Sequence, residues 1–151
     1  MTALTTLLAT FAWCVASAVV PVINSELYLL AVAAAVPRAL AVPLIVAATL
    51  GQMVGKSLMY FAGRGVLRLP GGRMKRIVGE VDRRYQGHAG LGAGIILLSA
   101  SLGFPPFYIV AVACGLVRVP FARFLLLGAI GRFARFAAVV LGGQLAGGWW
   151  A

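Results

Sequence analysis

The chain has 151 residues, of which 62% are hydrophobic and only 11% are charged. A soluble domain is nearer half apolar and about a quarter charged, so this composition excludes a water-soluble globule and requires a lipid bilayer to bury the apolar surface. Lysine and arginine number 13 against 3 acidic residues. In a membrane protein this excess indicates orientation and contact with anionic lipid, rather than binding of nucleic acid.

The first apolar stretch, residues 3–36, is too long for one membrane crossing and too short for two. It is interrupted near its middle by the sequence PVINSE, which begins with Pro21 and places polar side chains at positions 24–26. Proline removes a helix hydrogen bond and disfavours helix at the preceding residue. The pattern predicts a broken helix or re-entrant hairpin whose backbone faces protein or a water-filled cavity.

The second apolar stretch, residues 39–63, has one proline near its start and is long enough to span the membrane once. Gly51 and Gly55 form a G-x-x-x-G pattern, which lets membrane helices approach closely. This pattern permits a homo-oligomer but does not establish one.

A basic stretch, residues 64–90, divides the chain, and the positive-inside rule places it in the cytoplasm. Apolar residues at helical spacing within it predict a short amphipathic helix on the membrane surface: Met74, Ile77, Val78, Val81 and Tyr85. We therefore expect a single membrane domain over 1–151, made of a first half (1–63), this cytoplasmic loop (64–90) and a second half (91–151).

The second half repeats the plan of the first. Residues 91–117 are apolar but are broken by SLGFPPF, in which Gly103, Pro105 and Pro106 cannot continue a regular helix, and residues 120–148 can span once. A broken segment followed by a spanning helix in each half predicts an inverted repeat with a site near the midplane. If both broken segments are re-entrant, both termini lie outside; if the first one crosses, the N-terminus lies inside.

Four ionisable residues lie in the apolar segments: Glu26, Lys56, Arg132 and Arg135. Such groups are costly in hydrocarbon and mark functional sites. One carboxylate against up to three cations leaves excess positive charge, and guanidinium groups match phosphate oxygens well. We therefore predict a cavity for an anionic head group or a small oxyanion, with Glu26 as a counter-ion or proton carrier. The alternative is a structural ion pair between Glu26 and one arginine.

The sequence contains no Ser/His/Asp set that would indicate a hydrolytic enzyme. Its two cysteines, Cys14 and Cys114, lie in separate apolar stretches without the spacing of metal ligands. We expect no enzyme activity, no cofactor and no metal.

Several motifs resemble the DedA superfamily, also called the VTT or SNARE-associated domain. ATLGQMVGKSLMYFAGR, residues 48–64, is similar to the family's glycine-rich helix at Gly51, Gly55, Tyr60, Gly63 and Arg64. PVINSE resembles its Pro-x-x-Ser-Glu element at Pro21, Ser25 and Glu26. The region from SLGFPPF to GAIGRFARF resembles the second half of small YqaA-like members at Pro105, Pro106, Phe107, Gly115, Phe124, Gly131 and Arg132.

The resemblance implies an all-helical integral membrane fold with two re-entrant hairpins in inverted-repeat order. It also implies translocation of undecaprenyl phosphate or phospholipids between leaflets, coupled in some members to protons. This chain departs from the family in having Lys56 where many relatives have an acidic or small polar residue, and in lacking the F-x-x-R-x-x-P-x-x-R signature.

We therefore predict a multi-pass protein of the bacterial inner membrane that moves an anionic phospholipid or a polyprenyl phosphate between leaflets. Its partners would be membrane lipids, with protons as a further candidate. Two alternatives stay open at this stage. One is a small-solute or oxyanion transporter that uses the same cavity, and the other is a non-transporting membrane assembly or scaffold protein.

Overall fold

The computed structural model describes residues 2–20, 22–65 and 89–150, and their secondary structure is helical. The helices are α1 (Ala3–Val19), α2 (Ser25–Ala35), α3 (Ala41–Gly63), α4 (Ala89–Leu102), α5 (Phe107–Leu116) and α6 (Phe121–Trp150), with a 3-10 turn at Arg38–Leu40 before α3. Pro21 and the predicted surface helix around residues 74–85 lie outside the described residues.

Within the part of the chain that the structure describes, two segments are long and apolar enough to cross a bilayer. Arg38–Gly63 has 26 residues and a mean hydropathy of 1.5, and Phe121–Gly148 has 28 residues and a mean hydropathy of 1.9. At 1.5 Å per residue they extend about 39 and 42 Å, which exceeds the roughly 30 Å of hydrocarbon. The predicted second and fourth apolar stretches thus form unbroken helices. Helices α1, α2, α4 and α5 are apolar as well but shorter, with apolar segments of 10–17 residues.

The first predicted interruption is confirmed. Helix α1 ends at Val19 and α2 begins at Ser25. The side chain of Asn24 caps α2, because its Oδ1 accepts hydrogen bonds from the backbone N–H groups of Glu26 (2.9 Å) and Leu27 (3.2 Å). The polar residues at this break therefore start a new helix as well as ending the apolar run.

The second predicted interruption is confirmed as well. Helix α4 ends at Leu102 and α5 begins at Phe107. Gly103 has a φ of 80°, a left-handed conformation that glycine adopts readily. The Phe104–Pro105 peptide bond is cis. The hydroxyl of Ser99 donates a hydrogen bond to the Pro105 carbonyl at 2.5 Å, which ties the turn to α4.

The chain divides into two compact units, the first comprising Met1–Gly55 and Arg132–Ala151. In this unit α1 and α2 form a helical hairpin, in which the Trp13 and Tyr28 rings stack with their centres 5.1 Å apart. Leu30 and Ala33 contact Gly143 of α6, and Ala34 contacts Gly147, so that α2 and this part of α6 run in the same direction. The apolar core joins four helices: Cys14, Leu29, Ala33, Ala41, Leu44, Ile45, Ala48, Phe136 and Val140.

The second unit comprises Lys56–Gly131 and contains the end of α3, helices α4 and α5, and the start of α6. Its centre is an aromatic cluster of Tyr60, Phe61, Phe107, Phe121 and Phe124. Gly63 packs against Val112 so closely that no Cβ would fit, and Lys56 lies against Tyr108.

Candidate functional site

A buried set of hydrogen bonds holds the turn between α1 and α2. Gln52 of α3 donates through Nε2 to the hydroxyls of Ser17 (2.7 Å) and Ser25 (3.3 Å). Ser17 in turn donates to the Cys14 carbonyl at 3.0 Å. Gln52, Ser17 and Ser25 are buried. Three helices therefore meet at one amide group, and the first residue of α2 is fixed relative to α3.

Glu26, the second residue of α2, forms an ion pair with Arg135 of α6. Arg135 Nε donates to Glu26 Oε1 at 2.5 Å. A carboxylate in the first turn of a helix is also favoured by the positive end of the helix dipole. The Arg135 side chain is 24% exposed and that of Glu26 is 36% exposed. The pair is thus reachable from outside the unit rather than sealed in its core.

Arg132 lies one helical turn before Arg135 and is buried, with 9% of its surface exposed. Its guanidinium carbon is 6.0 Å from the centre of the Phe136 ring, within range of a cation–π interaction. Together, Glu26, Arg132 and Arg135 carry one excess positive charge. The ion pair of Glu26 with a single arginine, the alternative left open from the sequence, matches the observed contact of Glu26, and Arg132 adds a buried cation one turn away.

Lys56 lies in the other compact unit and is also buried, with 5% of its surface exposed. Its Nζ lies 5.9 Å from the centre of the Tyr108 ring. The structure thus brings Glu26 to Arg135 and Lys56 to Tyr108. That all four predicted ionisable residues share one cavity stays a prediction.

The predicted motif glycines lie where backbones approach each other. Gly51 and Gly55 contact the backbone of α1, and Gly131 contacts the backbone of α4. Gly63 and Gly115 lie where α3 and α5 cross. A side chain at any of these positions would collide with the facing helix, which explains a requirement for glycine.

Tyr60 links the end of α3 to the segment between α5 and α6, and Arg64 contacts Tyr60. The Tyr60 hydroxyl donates to the Val119 carbonyl, and Arg64 donates through Nη1 to the Tyr60 hydroxyl at 3.2 Å. Tyr60 is fully buried, whereas Arg64 is exposed. Pro105 and Pro106 lie in the turn before α5, in accord with the predicted break.

Three residues of these sites were not singled out from the sequence: Ser17, Gln52 and Tyr108. Isolated polar or amphipathic residues in an apolar helix carry little periodic signal. Gln52 does follow Gly51 directly, and a polar residue beside a small one on a membrane helix favours interhelical hydrogen bonding. Its place next to Gly51 was the sequence feature that could have identified Gln52 as a hydrogen-bonding residue.

No group of three metal-ligating side chains occurs among residues 2–20, 22–65 and 89–150. Cys14 and Cys114 are both buried free thiols.

Two helices are apolar and long enough to span a membrane, and the shorter helices meet at breaks. A partly exposed ion pair lies at the first break, with a buried arginine one turn from it. These features are those of a helical membrane protein. The sequence model of the VTT domain matches residues 20–145. The chain therefore belongs to the VTT domain family, the DedA or SNARE-associated family. No curated protein and no solved structure matches it.

Proposed function

We propose that this protein moves an anionic phospholipid or a polyprenyl phosphate between the leaflets of a bacterial inner membrane. The observation that carries the proposal is the partly exposed Glu26–Arg135 pair, with the buried cation of Arg132 one turn away. A guanidinium fork is suited to lipid phosphate, and a neighbouring carboxylate that competes for the same arginine lets the phosphate leave.

The proposed path depends on two re-entrant hairpins in an inverted repeat. Helices α1 and α2 have 17 and 11 residues, and α4 and α5 have 14 and 10. These helices are shorter than the roughly 20 residues of a full crossing, which supports hairpins that enter and leave the membrane on the same side. In the first unit the second helix of the hairpin, α2, runs along α6 in the same direction.

Membrane orientation follows from the same proposal. With both hairpins re-entrant, α3 and α6 are the two full crossings, residues 64–90 lie in the cytoplasm, and both termini lie on the opposite side. The multi-pass topology then presents Glu26 and Arg135 near the middle of the bilayer, where a head group must cross the largest barrier.

Lipid translocation in reconstituted vesicles tests the proposal. A fluorescent phosphatidylglycerol analogue is placed in both leaflets, and its arrival at the outer leaflet is followed with a membrane-impermeant quencher. Arg135→Ala and Glu26→Gln should each slow translocation by at least about tenfold, the factor that 1.4 kcal/mol provides. Arg123→Ala is the matched control, because Arg123 is an exposed arginine on the same helix.

Undiminished translocation by both site variants would remove the ion pair from the mechanism. If the double variant Glu26→Leu with Arg135→Leu still replaced the wild-type protein fully in cells, the ion pair would be structural. A membrane assembly role would then be favoured over transport.

A further inference from the structure

The two hairpins repeat one arrangement at the level of single residues. In each unit a glycine of a long helix packs against two residues, three positions apart, on the first helix of the hairpin: Val15 and Ala18 for Gly55, and Leu97 and Ala100 for Gly131. Ala18 and Ala100 precede the start of the second helix of their hairpin by the same number of residues. The hairpins are therefore equivalent in structure despite their different sequences.

The equivalence extends to the charged residues. Lys56 directly follows Gly55, Arg132 directly follows Gly131, and both basic side chains are buried. Glu26 and Tyr108 are each the second residue of the second hairpin helix. Glu26 pairs with Arg135 one turn from Arg132, and Tyr108 lies against Lys56. Tyr108 thus takes in the second hairpin the place that Glu26 takes in the first.

We infer that Lys56 and Tyr108 form a second binding site for the phosphate of an anionic lipid, at the turn of the second hairpin. This inference rests on the proposed function and adds a second phosphate-binding site to it. The lysine ammonium provides hydrogen-bond donors and charge, and the tyrosine hydroxyl provides another donor. The Tyr108 side chain is 37% exposed, so the site is open to a ligand on that side.

The two sites differ in the group that contacts their cation. A phosphate at Arg135 competes with the Glu26 carboxylate, whereas Lys56 lies against the uncharged ring of Tyr108. The two hairpin turns also differ in capping, because Asn24 caps α2 with its side chain, whereas Pro106 provides no side-chain cap for α5.

Binding of short-chain phosphatidylglycerol to the purified full-length protein tests the second site, with short-chain phosphatidylcholine as the zwitterionic reference. Isothermal titration calorimetry should show that Lys56→Gln and Tyr108→Glu each weaken one phosphatidylglycerol site by about tenfold. Tyr108→Glu introduces the counterpart of Glu26 and should act by pairing with Lys56. Tyr108→Phe should weaken binding by less, about threefold, because it removes the hydroxyl donor but keeps the ring face that contacts Lys56.

The double variant Lys56→Gln with Tyr108→Glu separates charge from misfolding. If charge governs binding, the double variant binds no more weakly than Lys56→Gln alone, and Arg38→Gln, a change at an exposed arginine, binds like wild type. Equal losses from Tyr108→Phe and Tyr108→Glu, or no loss from Lys56→Gln, would overturn the second site. If Lys56→Gln binds phosphatidylglycerol normally while Arg135→Ala loses lipid translocation, the second site is wrong but the proposed function stands.

Discussion

Replacement of Gln52 by leucine tests how the turn of the first hairpin is held. Gln52 is 3% exposed, and its amide donates to the hydroxyls of Ser17 and Ser25. Side-chain hydrogen bonds within membrane proteins average about 0.6 kcal/mol, so the loss of two should lower the free energy of unfolding by about 1 kcal/mol. Because Ser25 precedes Glu26, lipid translocation should slow as well.

The matched control is Thr49→Val, one turn earlier on α3. Thr49 is also buried, but its hydroxyl donates only within its own helix, to the Ile45 carbonyl at 2.8 Å. Such a bond adds little to helix stability, so this variant should unfold and translocate like wild type. Reversible unfolding by dodecyl sulfate in mixed micelles, followed by circular dichroism, measures both variants.

A double-mutant cycle makes the test specific. Combining Gln52→Leu with Ser25→Ala should cost about 0.6 kcal/mol less than the two single changes added together, because they remove the same hydrogen bond. The account of the turn is refuted if the coupling energy is zero and Gln52→Leu is no less stable than Thr49→Val.

Three further predictions concern the α3–α5 crossing and the topology. Gly115→Ala should destabilise the protein by about 1–3 kcal/mol in the same unfolding assay, because the added Cβ meets the Tyr60 carbonyl, whereas Gly94→Ala has open space and should not destabilise it. Tyr60→Phe should cost about 0.6 kcal/mol by removing the hydrogen bond to the Val119 carbonyl, and an unchanged unfolding midpoint would contradict that bond. Impermeant thiol reagents applied to intact cells should label cysteines added at both termini but none added within 64–90; opposite accessibility of the two termini would exclude paired re-entrant hairpins.

The breaks and the spanning helices were predictable from the sequence because each has a local cause. The Gly-Phe-Pro-Pro run and the proline followed by polar capping residues each interrupt an apolar helix, and the structure ends α1 at Val19 and α4 at Leu102 near the predicted positions. Burial of Lys56 and Arg132 was likewise predictable from their depth in apolar runs.

The partners of these charges were not predictable. Which arginine pairs with Glu26 depends on the register of α2 against α6, and that register is set by the contacts of Gly143 and Gly147 far along the chain. The inferred correspondence of the two hairpins was also hidden at the level of residues, because they share almost no side chains and the segments that join them to the long helices differ in length.

The most direct test of the account compares three substrates with the wild-type protein in the same vesicles: a phosphatidylglycerol analogue, a phosphatidylcholine analogue, and inorganic phosphate trapped inside. A carrier of anionic lipid built on Glu26, Arg132 and Arg135 should accelerate the phosphatidylglycerol analogue most and leave the trapped phosphate inside. Release of phosphate with no acceleration of either lipid would contradict the account and identify an oxyanion transporter.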